Sequence, residues 1–254
     1  MSLTPHISIL FFLLLNLIAG MTKAQIINME AKRLHGTEQG WAGSGDIYFN
    51  YIQNTRKLVT FGTKLHTGHL KQKRRLLFLG DISLSRVDQN DLLNKGYVHA
   101  RYNYNWNPFL TPEIFGQAQY NSVQRIDLRT LIGAGPRFRI HDDDTLNLYI
   151  GILYMYEYEN IGDSTAFLTA HRNSSYLSLN YFVNDIFSIS HISYYQPNIL
   201  DFADFRISTE TALNIYLTQR FTLRIIYNLL YDSRQVEGLP NQYHTLKNSL
   251  GVRF

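Results

Sequence analysis

Cysteine is absent from all 254 residues. Its absence excludes a disulfide framework, a thiolate metal site, a cysteine nucleophile and a lipid-modified N-terminal cysteine. Proline is scarce, at six, and no Pro/Gly/Ser-rich tract interrupts the chain, so nothing marks a boundary between folded domains. A charge excess is also missing. Twenty-four basic residues stand against 20 acidic ones, and the basic ones are scattered mostly singly along alternating runs, with one cluster at 71–75. That pattern argues against nucleic acid as a partner. Long hydrophobic runs are lacking except near the N-terminus, where Ile7 to Ala19 is apolar. This run is short for a membrane helix, which needs roughly 20 residues. Thr22 and Ala24 then supply small residues three and one before a cut. Residues 1–24 therefore read as a signal peptide cleaved after Ala24, with an uncleaved anchor as the alternative.

What the chain does have is aromatic residues, 18 Tyr and 15 Phe, and alternation. The closing stretch shows the alternation best. In an extended strand, Phe221, Leu223, Ile225, Tyr227, Leu229 and Tyr231 share one face, and Thr222, Arg224 and Asn228 the other. Leu246, Leu250, Val252 and Phe254 repeat this against Lys247, Ser249 and Arg253. A strand needs that pattern when lipid touches one side and a polar lumen the other. Residues 25–42 read as a linker or short plug. Alternating runs then occupy 43–53, 57–67, 74–86, 95–106, 110–121, 127–140, 144–158, 172–183, 186–196, 204–217, 220–232 and 243–254. The predicted fold is all-β: a twelve-stranded antiparallel transmembrane β-barrel, an up-and-down meander over 43–254. A soluble β-sandwich also alternates, but 144–158 and 220–232 are long against the about 5–6 residues usual there.

The links test the same reading. His141-Asp142-Asp143-Asp144, Asn184-Asp185 and Thr218-Gln219 are short, whereas Asn160 to His171, Pro197 to Ala203 and Ser233 to Tyr243 are long. Outer-membrane barrels have short periplasmic turns and longer outside loops, so both termini are expected on the periplasmic side. The first outside link, Asn54-Thr55-Arg56, is short and breaks the trend. Alternation turns Lys64, Arg101, Arg129, Arg137, Arg139, Arg206, Arg224, Lys247 and Arg253 inward against Asp46, Asp81, Glu113, Glu157 and Glu210. Positive charge leads. These charges either pair across the lumen and fill it or line a narrow passage that favours a small anionic solute.

The strand plan resembles a bacterial family of outer-membrane proteins named for induction by salt, a domain of unknown function (481). The resemblance runs from Gly45 to Phe254. It rests on Asn54-Thr55, on Asn107-Pro108-Phe109-Leu110-Thr111-Pro112 and on Asp127 to Arg139. Arg206-Ile207-Ser208-Thr209-Glu210-Thr211, Leu217 to Leu223 and Tyr231-Asp232-Ser233 complete it. Family members often carry Gly-Asn-Thr where this chain has Gln53-Asn54-Thr55. The resemblance implies fold and location in the outer membrane of a Gram-negative bacterium, and no chemistry. The terminal Phe254 resembles the signal read by the barrel-assembly machinery. The Ala24-Gln25 junction is similar to those of exported proteins in the Bacteroidetes group.

Chemistry has one sharp candidate. His191 and Ser193 share a face of strand nine, so the histidine is placed to activate the hydroxyl. In that pair the chain is similar to outer-membrane phospholipases, which use an asparagine as orienting partner. It departs where Ser193-Tyr194-Tyr195 replaces the Ser-Asn-Gly expected. Strand nine alternates least cleanly, leaving the direction of His191 open. His66 and His69 fall on opposite faces and make no metal site. Asp142-Asp143-Asp144 lacks the spaced ligands of a calcium loop. Lys71, Lys73, Arg74 and Arg75 form a basic cluster at a turn, solvated or touching lipid phosphates. Gly133 and Gly135 precede no helix and so cradle no phosphate, and no cofactor is expected. The reading is a monomeric, non-enzymatic barrel among outer-membrane lipids, envelope-structural or a narrow anion-leaning channel. The alternative is a phospholipase-like surface enzyme built on His191 and Ser193. Deletion of Phe254 is expected to lower the amount of folded barrel in cells while leaving the urea midpoint of refolded protein unchanged. Quantitative membrane fractionation beside an unfolding curve checks this.

Overall fold

The computed structural model describes residues 39–53, 57–87, 91–161, 167–235 and 240–253. They form twelve strands: β1 (Gly40–Gln53), β2 (Lys57–Lys71), β3 (Arg74–Val87), β4 (Asp91–Tyr104), β5 (Leu110–Asn121) and β6 (Ile126–Asp142). Then come β7 (Leu146–Ile161), β8 (Phe167–Phe182), β9 (Phe187–Asn198), β10 (Asp201–Tyr216), β11 (Phe221–Asp232) and β12 (Gln242–Arg253). Each strand pairs antiparallel with its chain neighbours, and β1 pairs with β12, so the sheet closes. Closure is what a sheet in hydrocarbon requires, because lipid offers no partner to an open edge.

Period-two alternation makes these strands, and the faces fall as expected. Ile47, Phe49, Val98 and Ile132 point out and are 59–64% exposed, whereas Asp46, His99 and Arg129 point in and are buried. Most strands run longer than the sequence reading, which changes the links. The expected long link from Pro197 to Ala203 is a tight turn at Ile199-Leu200, because Asp201 to Ala203 already belong to β10. The link expected over Asn160 to His171 contracts likewise, since β7 runs to Ile161 and β8 opens at Phe167. Asn54-Thr55-Arg56 lies outside the described residues, as does Phe254.

Four links on the rim that holds both ends of the barrel share one device. At Asn107, Asp143, Asn184 and Thr218 a side-chain oxygen accepts the N–H groups of the second and third residues on, at 2.7–3.1 Å. The residue's own N–H donates to the carbonyl of the third residue: Leu110, Leu146, Phe187 or Phe221. Short polar side chains that bond locally to backbone favour turns over strands, so each one stops pairing at that point. The exposed Asp143 carboxyl is held down to about 2, first by the Leu146 N–H and then by His141 and the Thr145 N–H.

The β1–β12 seam has the shortest ladder, from Ser44↔Arg253 to Ile47↔Leu250. An ion pair reinforces it from inside. Arg224 on β11 reaches over β12 to both Asp46 carboxylate oxygens, at 3.0 and 2.8 Å, and Gly251 leaves the space between them. Gly135 on β6 has a different neighbour: a Cβ there would lie 2.4 Å from the Ile152 carbonyl of β7. Gly135→Ala is therefore expected to cost about 1–3 kcal/mol, because backbone must move. Gly251→Ala, where a carboxylate end can shift, should cost less. Urea unfolding in lipid vesicles measures both.

Candidate functional site

The lumen is where the charged residues gather, and in its far half, away from the chain ends, Glu157 is the hub. Its side chain is 2% exposed, and three arginines from three strands meet it. Arg129 Nε of β6 lies 2.6 Å from Oε1, and Arg172 Nε of β8 donates to Oε2 at 2.6 Å. Arg206 of β10, three strands away, donates to Oε1. The Arg129 contact is a close charge pair without the alignment of a hydrogen bond. Glu159 adds a second carboxylate, 3.2 Å from Arg206 and 3.4 Å from Arg129. Asp232 takes Arg206 Nε at 2.7 Å, and Asp204 takes Arg172 through both oxygens at 3.0 Å. Isolated buried ions are prohibitively costly, so such a cluster persists only when each charge meets opposite charge and hydrogen bonds.

The near half is built differently. Arg101 meets Glu113 at 3.2 Å, and the Tyr176 hydroxyl of β8 donates to the same Glu113 oxygen of β5 at 2.9 Å. Arg137 stacks on the Tyr149 ring at 3.6 Å. Between the halves Phe115, Leu131, Leu153, Met155, Tyr176, Ile192 and Tyr194 pack as an apolar cluster inside the barrel. Against the opposite wall, Lys64 lies 3.7 Å from Asp81, and Tyr48 donates to Asp81 at 3.1 Å. Lys64 and Lys247 also approach the Tyr48 ring, at 5.8 and 5.4 Å. Lys247, Lys64 and Lys95 repel one another here, with Asp81 and Glu210 as countercharges.

Of the charges expected to face the lumen, Lys64, Arg101, Glu113, Arg129, Arg137, Glu157, Arg206, Glu210 and Lys247 are buried there, and Arg224 is half-buried on Asp46. Arg139 sits at the rim, partly exposed, on Asp142 at 2.8 Å. The Arg253 side chain lies outside the described residues. Sequence reasoning left out Lys95, Glu159, Arg172, Asp204 and Asp232: Glu159 lies one residue past the run that ended at 158, and the other four are the end residues of their runs, to which no face was assigned. Carrying period two onward from Tyr97, Glu157, Tyr176, Arg206 and Asn228 would have found them. Their three carboxylates against two cations lower the expected positive lead by one charge. Among the described residues no His/Cys/Asp/Glu group is arranged to hold a metal. His66 points in, and His69 points out against Trp41 with ring centroids 4.9 Å apart. His191 and Ser193 lie on the outer wall, outside this lumen.

A family model described as "Protein of unknown function, DUF481" matches residues 53–254. The chain belongs to that family. No curated protein matches it. Among solved structures, this DUF481 barrel is similar to the COG4313 outer membrane channel from Pseudomonas putida F1. Identity there is 13%, coverage 91% of this chain and 100% of that one, and the TM-score 0.55. A NanC porin gives 14% identity, TM-score 0.49 and coverage of 84% and 98%. A KdgM porin gives 12%, 0.46 and the same coverage. At such identities the likeness is one of fold, and the fold is that of an outer-membrane β-barrel. In this DUF481 barrel, Glu157→Gln leaves three buried arginines short of charge and should cost about 3–5 kcal/mol. Arg139→Gln at the exposed rim should cost within about 1 kcal/mol. Urea midpoints in vesicles compare the two.

Proposed function

We propose that this barrel serves the outer membrane as a wall element whose lumen is held shut by its own side chains. One observation carries the reading: even small inward residues are covered. Ser83 and Ser178 are 1% and 2% exposed, and Met155 and Ile192 0%. A water-filled passage would wet such side chains. Cross-lumen bonds from Arg206 to Glu157 and from Tyr176 to Glu113 bridge walls that lie three strands apart, which favours a braced structural role for the lumen over catalysis there.

The setting proposed with it is the outer membrane of a Gram-negative bacterium. The mature chain begins at Gln25, is inserted by the barrel-assembly machinery and works as a monomer, with both ends of the barrel on the periplasmic side.

The convergence of Lys64, Lys95 and Lys247 favours a second reading, a narrow channel leaning toward small anions once the closure yields. Planar-bilayer recording tests both. Wild type is expected to be silent, and joint Met155→Gly and Ile192→Gly to give resolvable steps. Steady conductance from wild type overturns the closed lumen. Opened variants whose reversal potential ignores Lys64→Gln and Lys247→Gln overturn the anion preference.

A further inference from the structure

The wall of β8 to β10 departs from what lipid requires. Barrel exteriors need apolar side chains at mid-wall, since a polar group facing hydrocarbon is costly. β9 inverts this rule. It turns Ile192 and Tyr194 inward, and His191 and Ser193 outward between Ile189 and Tyr195. Across the ladder, Thr211 pairs with His191 and Thr209 with Ser193. The side chains connect. His191 Nδ1 lies 2.8 Å from Thr211 Oγ1, and Nε2 lies 2.9 Å from Ser193 Oγ. With the proton on Nδ1, the imidazole donates to Thr211 and accepts from Ser193, which is the state a base needs.

Its depth points to a substrate. Tyr195, the next outward residue, is in ring contact with Phe205 at 5.8 Å, and Phe205 stacks on Tyr231 at 5.5 Å. Aromatic rows of this kind mark the headgroup level. Ser193 lies one outward step below, about 7 Å along the strand, where acyl-ester linkages of membrane lipids sit.

We propose that Ser193, His191 and Thr211 form a lipid-facing site for acyl esters of membrane lipids. Ser193 Oγ attacks the ester carbonyl carbon while its proton passes to His191 Nε2. The carbon–oxygen bond to the alcohol then breaks, and His191 returns the proton to the leaving oxygen, giving a deacylated lipid and acyl-Ser193. Interfacial water, deprotonated by His191, attacks the acyl-serine, releases the fatty acid and restores the Ser193 hydroxyl. Thr209, directly across from Ser193 on the same face, offers a hydroxyl to the transient oxyanion. Thr211 is a positioning residue, holding the tautomer.

The test uses the full mature chain refolded in two kinds of vesicle: one of phospholipid with a fluorescent acyl chain, the other also holding acylated lipopolysaccharide. An alkyl fluorophosphonate serves as covalent probe, and heat-modifiable migration confirms folding of every variant. Wild type is expected to release fatty acid in at least one vesicle, which identifies the ester used, and to carry the probe on Ser193. Ser193→Ala should abolish both, and His191→Gln should slow both by about 100-fold or more. Thr211→Val should slow turnover, with Thr211→Ser restoring it, which a purely structural role would not produce. Folded wild type that neither releases fatty acid nor takes the probe overturns the proposal, as does undiminished release by Ser193→Ala.

Discussion

A membrane offers the backbone no hydrogen bonds, and the rest of this structure follows from that. Every strand must be paired on both sides, so the sheet closes, and closure falls to the β1–β12 seam with its short ladder. The ion pair from Asp46 to Arg224 straddles that seam over Gly251, placing a lumen interaction in the service of the wall. Strand number then sets the bore, which grows roughly linearly with it. Twelve strands give an interior in which an arginine can reach a wall three strands away, as Arg206 does in reaching Glu157.

Filling such a bore sets the second condition. Charged side chains that meet in the middle lose water, so each needs an opposite charge and aligned donors. The far half meets this by sharing: Glu157 serves three arginines, and Glu159, Asp204 and Asp232 complete them. Elsewhere the interior uses apolar bulk, with Met155, Ile192 and Leu153 among the most buried side chains of the chain. These aliphatic and aromatic groups brace the barrel by packing where the far half uses charge. The outer wall carries the converse: where β9 sends Ile192 and Tyr194 in, it sends His191 and Ser193 out, and the relay to Thr211 meets the polar groups left facing lipid.

Much of this was legible in the residues, because a strand's period is two and each face meets one solvent. Twelve strands, their antiparallel order and the inward turn of Lys64, Arg101, Glu157 and Arg224 all follow from that rule. The turn device was legible as well: Asn107, Asp143, Asn184 and Thr218 each precede Leu or Phe by three positions. Strand ends were not. Asp201, between Leu200 and Phe202, and Glu159, after Tyr158, fell outside the alternating runs, yet pairing with β9 and with β8 carries both into strands.

Alternation, together with strand length and the links, determined that this chain closes a barrel with lipid outside and charge within, since each residue's face depends only on its place in the strand. Which of those charges meet one another was decided by the tertiary structure. Arg206 and Glu157 lie 49 residues apart in sequence and meet only because the sheet curls back on itself. The direction of His191 was settled the same way. With apolar and polar residues on both faces of β9, only the register against Thr211 and Leu179 shows which side meets lipid.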